Sequence, residues 1–292
     1  MNVAVFGRKV NKQDIEYYNE FLGILKDFGW NPILHSNLKE ALVKKAGISE
    51  SIDEFSSHQD FKKGIDLSFS IGGDGTFIEN VKFIRNSNVP VLGINTGRLG
   101  FLANISKHNL EEAMDLVHQK KYVFQKRSMI RVETEDNIFG NENIALNEMT
   151  LQKKDTSSMI TVHASLEGKY LNSYWADGLI VATPSGSTAY SLSCGGPIVT
   201  PGCQVHILTP IAPHNLNVRP MVVPDHMPIE LSIEGRERKY LISLDGHSLP
   251  IRQQEKVTIY KSDFMINVIK FEENNFLDTI RNKMHWGVDK RN

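Results

Sequence analysis

Ile65-Asp66-Leu67-Ser68-Phe69-Ser70-Ile71, running directly into Gly72-Gly73-Asp74-Gly75-Thr76, is the stretch on which the fold turns. The first part has strand length, and the glycines stand where that strand gives way to a helix beginning near Phe77. Glycine lets the backbone turn sharply and brings its N–H groups close to an anion, and the helix N-terminus behind it adds a favourable dipole. Gly72, Gly73, Gly75 and Thr76 are therefore expected to form a phosphate-binding loop. Neither G-x-x-x-x-G-K-[ST] nor G-x-G-x-x-G occurs in the chain, so the cradle is of another kind. An aspartate inside such a loop repels its ligand unless it holds a metal or accepts a proton from a nucleophilic hydroxyl, which makes Asp74 the first catalytic candidate. A glycine-rich turn with a capping aspartate is the plain structural alternative.

Outward from this stretch, short apolar runs at 3–6, 32–34 and 89–94 alternate with helical spacing at Ile15, Tyr18, Leu22 and Leu25 and again over 110–118. That alternation predicts a parallel, doubly wound sheet in a nucleotide-binding α/β domain over 1–125. Residues 47–64 are polar, serine-rich and without period, and read as a mobile connection, either a surface loop or a lid. After about residue 126 the texture changes: 160–166 alternates apolar and polar, and 229–233, 240–244, 257–260 and 265–271 follow at hairpin-like spacing. A β-rich domain over 126–273 results, and a tail at 274–292, helical at Phe276, Ile280 and Met284, is expected to pack back on the first domain. The fold class is thus α/β plus β, a Rossmann-like three-layer domain followed by a β-rich one.

Composition excludes several functions. Across 292 residues, 33 Lys+Arg nearly cancel 34 Asp+Glu for a net charge of −1, which gives no basis for nucleic-acid binding by bulk charge. No apolar run is long enough to span a bilayer, and residues 1–7 lack the apolar core and cleavage site of a signal peptide, so the expected location is the cytoplasm, with no membrane partner. Cys194 and Cys203 make neither a disulfide framework nor a zinc set and read as packed thiols. His206, His214 and His226 lack the spacing of metal ligands.

Three further segments narrow the chemistry: Asn95-Thr96-Gly97-Arg98-Leu99-Gly100-Phe101-Leu102, Asn147-Glu148, and the long run from Asp177-Gly178 through Thr183-Pro184-Ser185-Gly186-Ser187-Thr188-Ala189-Tyr190-Ser191-Leu192-Ser193-Cys194. With Pro210-Ile211-Ala212-Pro213-His214, Arg219-Pro220 and Leu244-Asp245-Gly246 in the same order, the chain resembles the NAD kinase family over nearly its whole length. Gly72-Gly73-Asp74-Gly75-Thr76 alone identifies only the wider superfamily shared with phosphofructokinases and diacylglycerol and sphingoid-base kinases. The resemblance implies ATP-dependent phosphorylation of the adenosine ribose 2′-hydroxyl of NAD to give NADP, with Asp74 as proton acceptor and in-line transfer without a covalent enzyme intermediate. It assigns Gly72, Gly73, Gly75 and Thr76 to ATP phosphates, and Asp74, Gly75, Asn147, Glu148, Asp177, Thr188, Ala189, Tyr190, Ser191, Leu192, Ser193 and His247 to NAD. Mg²⁺ or another divalent metal is expected on ATP rather than on protein side chains, and a homodimer or homotetramer is implied. Two departures stand out: Trp175 occupies a position that is basic in many relatives, and His247 replaces a common glutamine. Trp175 either stacks on a base or fills an interface. A lipid kinase on the same superfamily and a non-catalytic NAD sensor are the rival readings. The acceptor is NAD or NADH, and the donor ATP or inorganic polyphosphate.

Overall fold

The structure, a computed structural model, describes residues 1–8, 10–97, 100–103, 105–154, 158–237, 239–272 and 275–286, with Lys12 and Gln13 as backbone only. Arg98, Leu99, 274 and 287–292, all named in the sequence reading, lie outside the described residues. The chain divides into two compact units, one of Met1–Lys126 with Ile266–Asn292 and the other of Arg127–Met265.

In the first unit the strand order is Asp53–Phe55, Asn31–His35, Asn2–Gly7, Leu67–Ile71, Val91–Asn95, Ile266–Lys270 and Val123–Arg127, with Ile105–Ser106 beside Val91–Asn95. The pairings from Asp53–Phe55 through to Ile266–Lys270 are parallel, and helices such as Lys12–Asp27, Ser36–Ala46 and Asp74–Ile84 make the crossovers. Leu67–Ile71 and Val91–Asn95 are buried at every position, the mark of strands covered on both faces; in Leu67–Ile71 one buried face carries Ser68 and Ser70, and Ser68 Oγ accepts from Asn80 Nδ2 at 2.9 Å. From Asn2–Gly7 the chain first winds to one side of the sheet and then returns to the other through Leu67–Ile71. The glycine loop at 72–73 therefore leaves the carboxyl end of a strand at the topological switch point, where open α/β sheets bind ligands.

Two expectations are corrected here. Residues 47–64 are not a featureless connection: Asp53–Phe55 pairs with Asn31–His35, and the turn of helix His58–Phe61 follows. Phe55 and Phe61 are both buried, in edge-to-face contact at 5.1 Å, but each element is too short to show a period. Residues 265–271 are likewise no member of a β-rich hairpin series. Ile266–Lys270 lies parallel to Val91–Asn95, so the chain returns to the first unit at Ile266 and not at 274. Val268 and Ile269 are consecutive and both buried, the mark of a strand covered on two faces. The helix Phe276–Met284 follows, with Phe276 6.4 Å from the Phe101 ring and Lys283 Nζ 4.7 Å from its centroid.

The second unit is built of two six-stranded sheets. One runs Met221–Pro224, Val205–Ile211, Gly178–Ala182, Glu148–Gln152, Lys239–Leu244 and His247–Arg252; the other Lys169–Ala176, Ile160–Leu166, Ile229–Glu234, Val257–Lys261, Ile130–Thr134 and Ile144–Ala145. Ile160, Val162, Ala164 and Leu166 enter one apolar core together with Met149, Leu151, Leu179 and Val181 of the facing sheet, so the period of two seen in the sequence is that core's imprint. The chain switches sheets at 146–147, between Ile144–Ala145 and Glu148–Gln152, and again at Asp177, between Lys169–Ala176 and Gly178–Ala182. These corners carry Asn147, Glu148 and Asp177.

Candidate functional site

Each unit holds one cluster of the residues singled out by sequence. In the first, Gly72 has φ +149°, and a Cβ there would lie 2.4 Å from Thr76 Oγ1, so only glycine fits. Its N–H donates to the Ile94 carbonyl at 2.9 Å and ties the loop to the next strand. Gly73 caps the helix Asp74–Ile84, and its carbonyl accepts from the amides of Thr76 and Phe77 at 2.9 and 3.1 Å. Asp74, at the first helical position, does not point into solvent alone. Its Oδ1 accepts from the amides of Leu102 and Ala103, both at 3.0 Å, and its Oδ2 from the amide of Phe101 at 2.8 Å. The loop that supplies them is closed by Gly100 N–H to Ala103 O at 2.9 Å and by Asn95, which accepts from Gly97 at 2.7 Å and donates to Ala103 O at 3.2 Å. A carboxylate has about four acceptor sites. Among the described residues three are taken, and the remaining one is on Oδ2.

The second cluster stands at the sheet corners. Asn147 is buried and Glu148 half-buried, and Asn147 Oδ1 and Glu148 Oε2 have no hydrogen-bond partner among the described residues. Burial, followed by the neighbouring Asp245 carboxylate, pushes Glu148 up to about 8 against the pull of the Tyr190 backbone amide. Two adjacent unsatisfied buried oxygens call for donors, and hydroxyl groups of a sugar are donors of the right kind. Asp177 pairs with Lys153, Nζ to Oδ1 at 2.6 Å. A cation thus stands beside Asp177 although position 175 is tryptophan; Trp175 itself packs on His214 with ring centroids 4.1 Å apart. The run after Pro184 folds as a short turn of helix at Gly186–Thr188 and another at Tyr190–Ser193. Thr188 donates to Ser185 O at 3.2 Å, Ala189 and Leu192 are half-buried, and Tyr190 and Ser193 are exposed. Ser191 differs, because its hydroxyl is fully buried against Thr209 Oγ1 at 2.8 Å and holds the core. His247 is exposed, immediately after the turn containing Asp245.

Sequence reasoning gave no individual role to Gly100, Lys153, Thr183, Gly186 or Asp245. A Cβ on Gly100 would fall 1.8 Å from Asp74 Oδ1, and one on Gly186 2.1 Å from the Asn147 carbonyl. Thr183 donates its hydroxyl to Leu146 O at 2.5 Å and its amide to Asn147 O at 2.8 Å. Lone glycines and threonines carry no signal of such approaches; an Asp-Gly pair between two strand patterns does mark a turn. Among the described residues no three His, Cys, Asp or Glu side chains converge as a metal cage, and no helix is long and apolar enough to cross a membrane.

Residues 3–122 match the ATP-NAD kinase N-terminal domain and residues 146–271 the ATP-NAD kinase C-terminal domain. Curated relatives include the NAD kinases of Flavobacterium psychrophilum, 44% identical, and Cytophaga hutchinsonii, 43% identical, each over 100% of both chains. Among solved structures, a yeast NADH kinase complexed with NADH shares the fold at TM-score 0.87 and 23% identity, covering 99% of this chain and 88% of that one. An NAD kinase from Archaeoglobus fulgidus in complex with ATP aligns at TM-score 0.73 and 25% identity, over 98% of this chain and 99% of the other. With a glycine loop at the sheet's switch point, a clamped aspartate at its helix start and both domain matches in order, the chain belongs to the NAD kinase family, enzymes that use ATP to phosphorylate NAD.

Proposed function

We propose that this chain transfers the γ-phosphoryl group of ATP to the 2′-hydroxyl of the adenosine ribose of NAD, releasing ADP and NADP. The observation that carries this reading is the Asp74 carboxylate, aimed by three backbone amides and left with one acceptor site on Oδ2. As the ribose oxygen bonds to phosphorus in line with the departing ADP oxygen, its proton passes to that site. Amides of 73–75 at the helix start offset charge on the transferring group, with Gly75 and Thr76 completing the loop. No covalent intermediate is needed. Asn147 and Glu148 take ribose hydroxyls, Asp177 with its Lys153 partner takes a further polar group of NAD, and the 188–193 run presents Tyr190 as an aromatic face beside Thr188 and Ala189. Ser191 serves this run from within the core, and His247 adds a hydrogen bond from the hairpin.

Mg²⁺ carried on the triphosphate would offset its charge there, beside the loop of Gly72, Gly73, Gly75 and Thr76. A homo-oligomer is part of the proposal, supported by the exposed Met221 and Val222 on the edge strand Met221–Pro224. So is a cytoplasmic location, which cell fractionation tests. The direct test of the mechanism is Asp74→Asn: NAD binding is retained while turnover drops by about 10²–10⁴-fold, and unchanged turnover removes Asp74 from the chemistry.

A further inference from the structure

Asp245 and Gly246 form the two-residue turn between Lys239–Leu244 and His247–Arg252, with Leu244 paired to His247. Both have positive φ, 48° and 84°, the geometry of a type I′ hairpin, for which Asn-Gly and Asp-Gly are the favoured pairs. Such a turn asks nothing of the side chain. Asp245 nevertheless reaches across to another strand's beginning. Its Oδ2 accepts from the Leu146 amide at 2.6 Å, its Oδ1 from the Asn147 and Glu148 amides at 2.8 and 3.1 Å, and its own amide donates to Glu148 O at 3.1 Å.

These three amides need an acceptor for a topological reason. At 146–147 the chain has left the sheet of Ile144–Ala145 and is only entering that of Glu148–Gln152. The ladder between Glu148–Gln152 and Lys239–Leu244 starts at Met149 opposite Leu244, one residue too late to satisfy Glu148. Buried amides without partners are costly, and one carboxylate answers all three. From the other direction Thr183 holds the carbonyls of Leu146 and Asn147, and Gly186 allows the close approach. The backbone is gripped from both sides while Asn147 Oδ1 and Glu148 Oε2 are left buried and, among the described residues, unpartnered.

We propose that Asp245 is a positioning residue for ribose recognition: its carboxylate fixes the backbone from which Asn147 and Glu148 present their oxygens to the hydroxyls of NAD. The proposal rests on the NAD kinase reading above. Asp245 acts through those two residues and not on the reacting atoms.

Asp245→Asn separates this role from that of a turn residue. Asparagine suits a type I′ turn at least as well and tolerates positive φ, but its Nδ2 cannot accept an amide and its charge is gone. A mere turn residue predicts unchanged NAD kinetics. The positioning role predicts an NAD KM raised by about tenfold to a hundredfold with the ATP KM unchanged. It also predicts a second shift. Glu148 faces Asp245 and Tyr190, and Tyr190 in turn faces Asp177 and Cys194; removing the Asp245 charge moves the Glu148 break in the pH profile of NAD binding to lower pH. Asp245→Gly keeps the turn, removes both oxygens and is expected to show the same loss of NAD affinity. Wild-type NAD affinity in either folded variant overturns the proposal, as does collapse of both variants by circular dichroism, which would make Asp245 structural only. A wild-type chain that forms no NADP from NAD and ATP overturns the parent reading and this one with it; an active wild type with an indistinguishable Asp245→Asn variant overturns this one alone.

Discussion

Gly100→Ala is the sharpest perturbation of the catalytic arrangement, because it adds one methyl group and no charge. Gly100 is outside the left-handed region, so alanine adds no backbone strain there. The new Cβ falls 1.8 Å from Asp74 Oδ1, 2.6 Å from its Cγ and 3.0 Å from Ala103 O, and something must move. Either the carboxylate leaves the amides of Phe101, Leu102 and Ala103, or the loop carrying them withdraws. Hydrogen bonds to a charged group contribute about 1.5–3 kcal/mol each, and overpacking of this kind costs about 1–3 kcal/mol. Loss of one such bond with partial relaxation of the loop gives a local cost of about 2–3 kcal/mol. Displacing the proton acceptor by about 1 Å lowers turnover by about 10²-fold. The assay is NADP formation against ATP and NAD concentration, with unfolding followed in parallel. Gly23→Ala is the control: nothing lies within 4 Å of that Cβ in the helix Lys12–Asp27, so activity is retained and stability rises by about 0.5–1 kcal/mol. In an Asp74→Ala background the stability cost of Gly100→Ala should shrink to what the 3.0 Å approach to Ala103 O leaves. A Gly100→Ala enzyme with wild-type turnover and stability refutes the clamped-aspartate geometry.

Other consequences follow from charge. Glu148 sits at about 8 in the fold against 4.5 as a free side chain, so the native state holds the extra proton between those values. Stability contributed at this site therefore falls as pH rises through that window and levels off above it. A ribose hydroxyl donating to Glu148 favours the carboxylate, so NAD should bind more tightly as pH rises from about 6 to about 8 with proton release visible by calorimetry in buffers of different ionisation heat; Glu148→Gln should flatten the profile, and a flat wild-type profile removes Glu148 from ribose binding. His206 is buried near Asp225 and Lys261 and is lowered by burial from 6.5 to about 4. The unfolded chain takes up this proton first, so stability is lost as pH falls from about 6.5 through about 4, and His206→Gln should lessen that acid sensitivity in a urea titration series.

The sequence disclosed what depends on period and on local backbone demands. Unbroken apolar runs such as 3–6, alternation such as 160–166, and glycines after a strand end marked both halves and the loop carrying Asp74. Ile266–Lys270 was misplaced because a five-residue strand does not state which sheet it joins; only the burial of Val268 and Ile269 on opposite faces does. At the site, the chemistry-bearing types Asp74, Asn147, Glu148 and Asp177 were legible, whereas their supports were not. Asp74 is held by amides from 101–103, and Asn147 and Glu148 by a carboxylate 98 and 97 residues away along the chain. Such contacts join backbone amides, which every residue possesses, to a partner brought near only by topology. Ser191 illustrates the converse, since a hydroxyl within a motif run gives no sign that it faces Thr209 in the core.

Folded, purified protein supplied with NAD, ATP and Mg²⁺ should form ADP and NADP in equal amounts, with NADP read by a dehydrogenase that accepts only NADP and the new phosphate placed on the 2′ oxygen by phosphorus NMR. ATP consumption without NADP, or no turnover across donors and divalent metals in protein shown to be folded, would mean that this chain is not an NAD kinase.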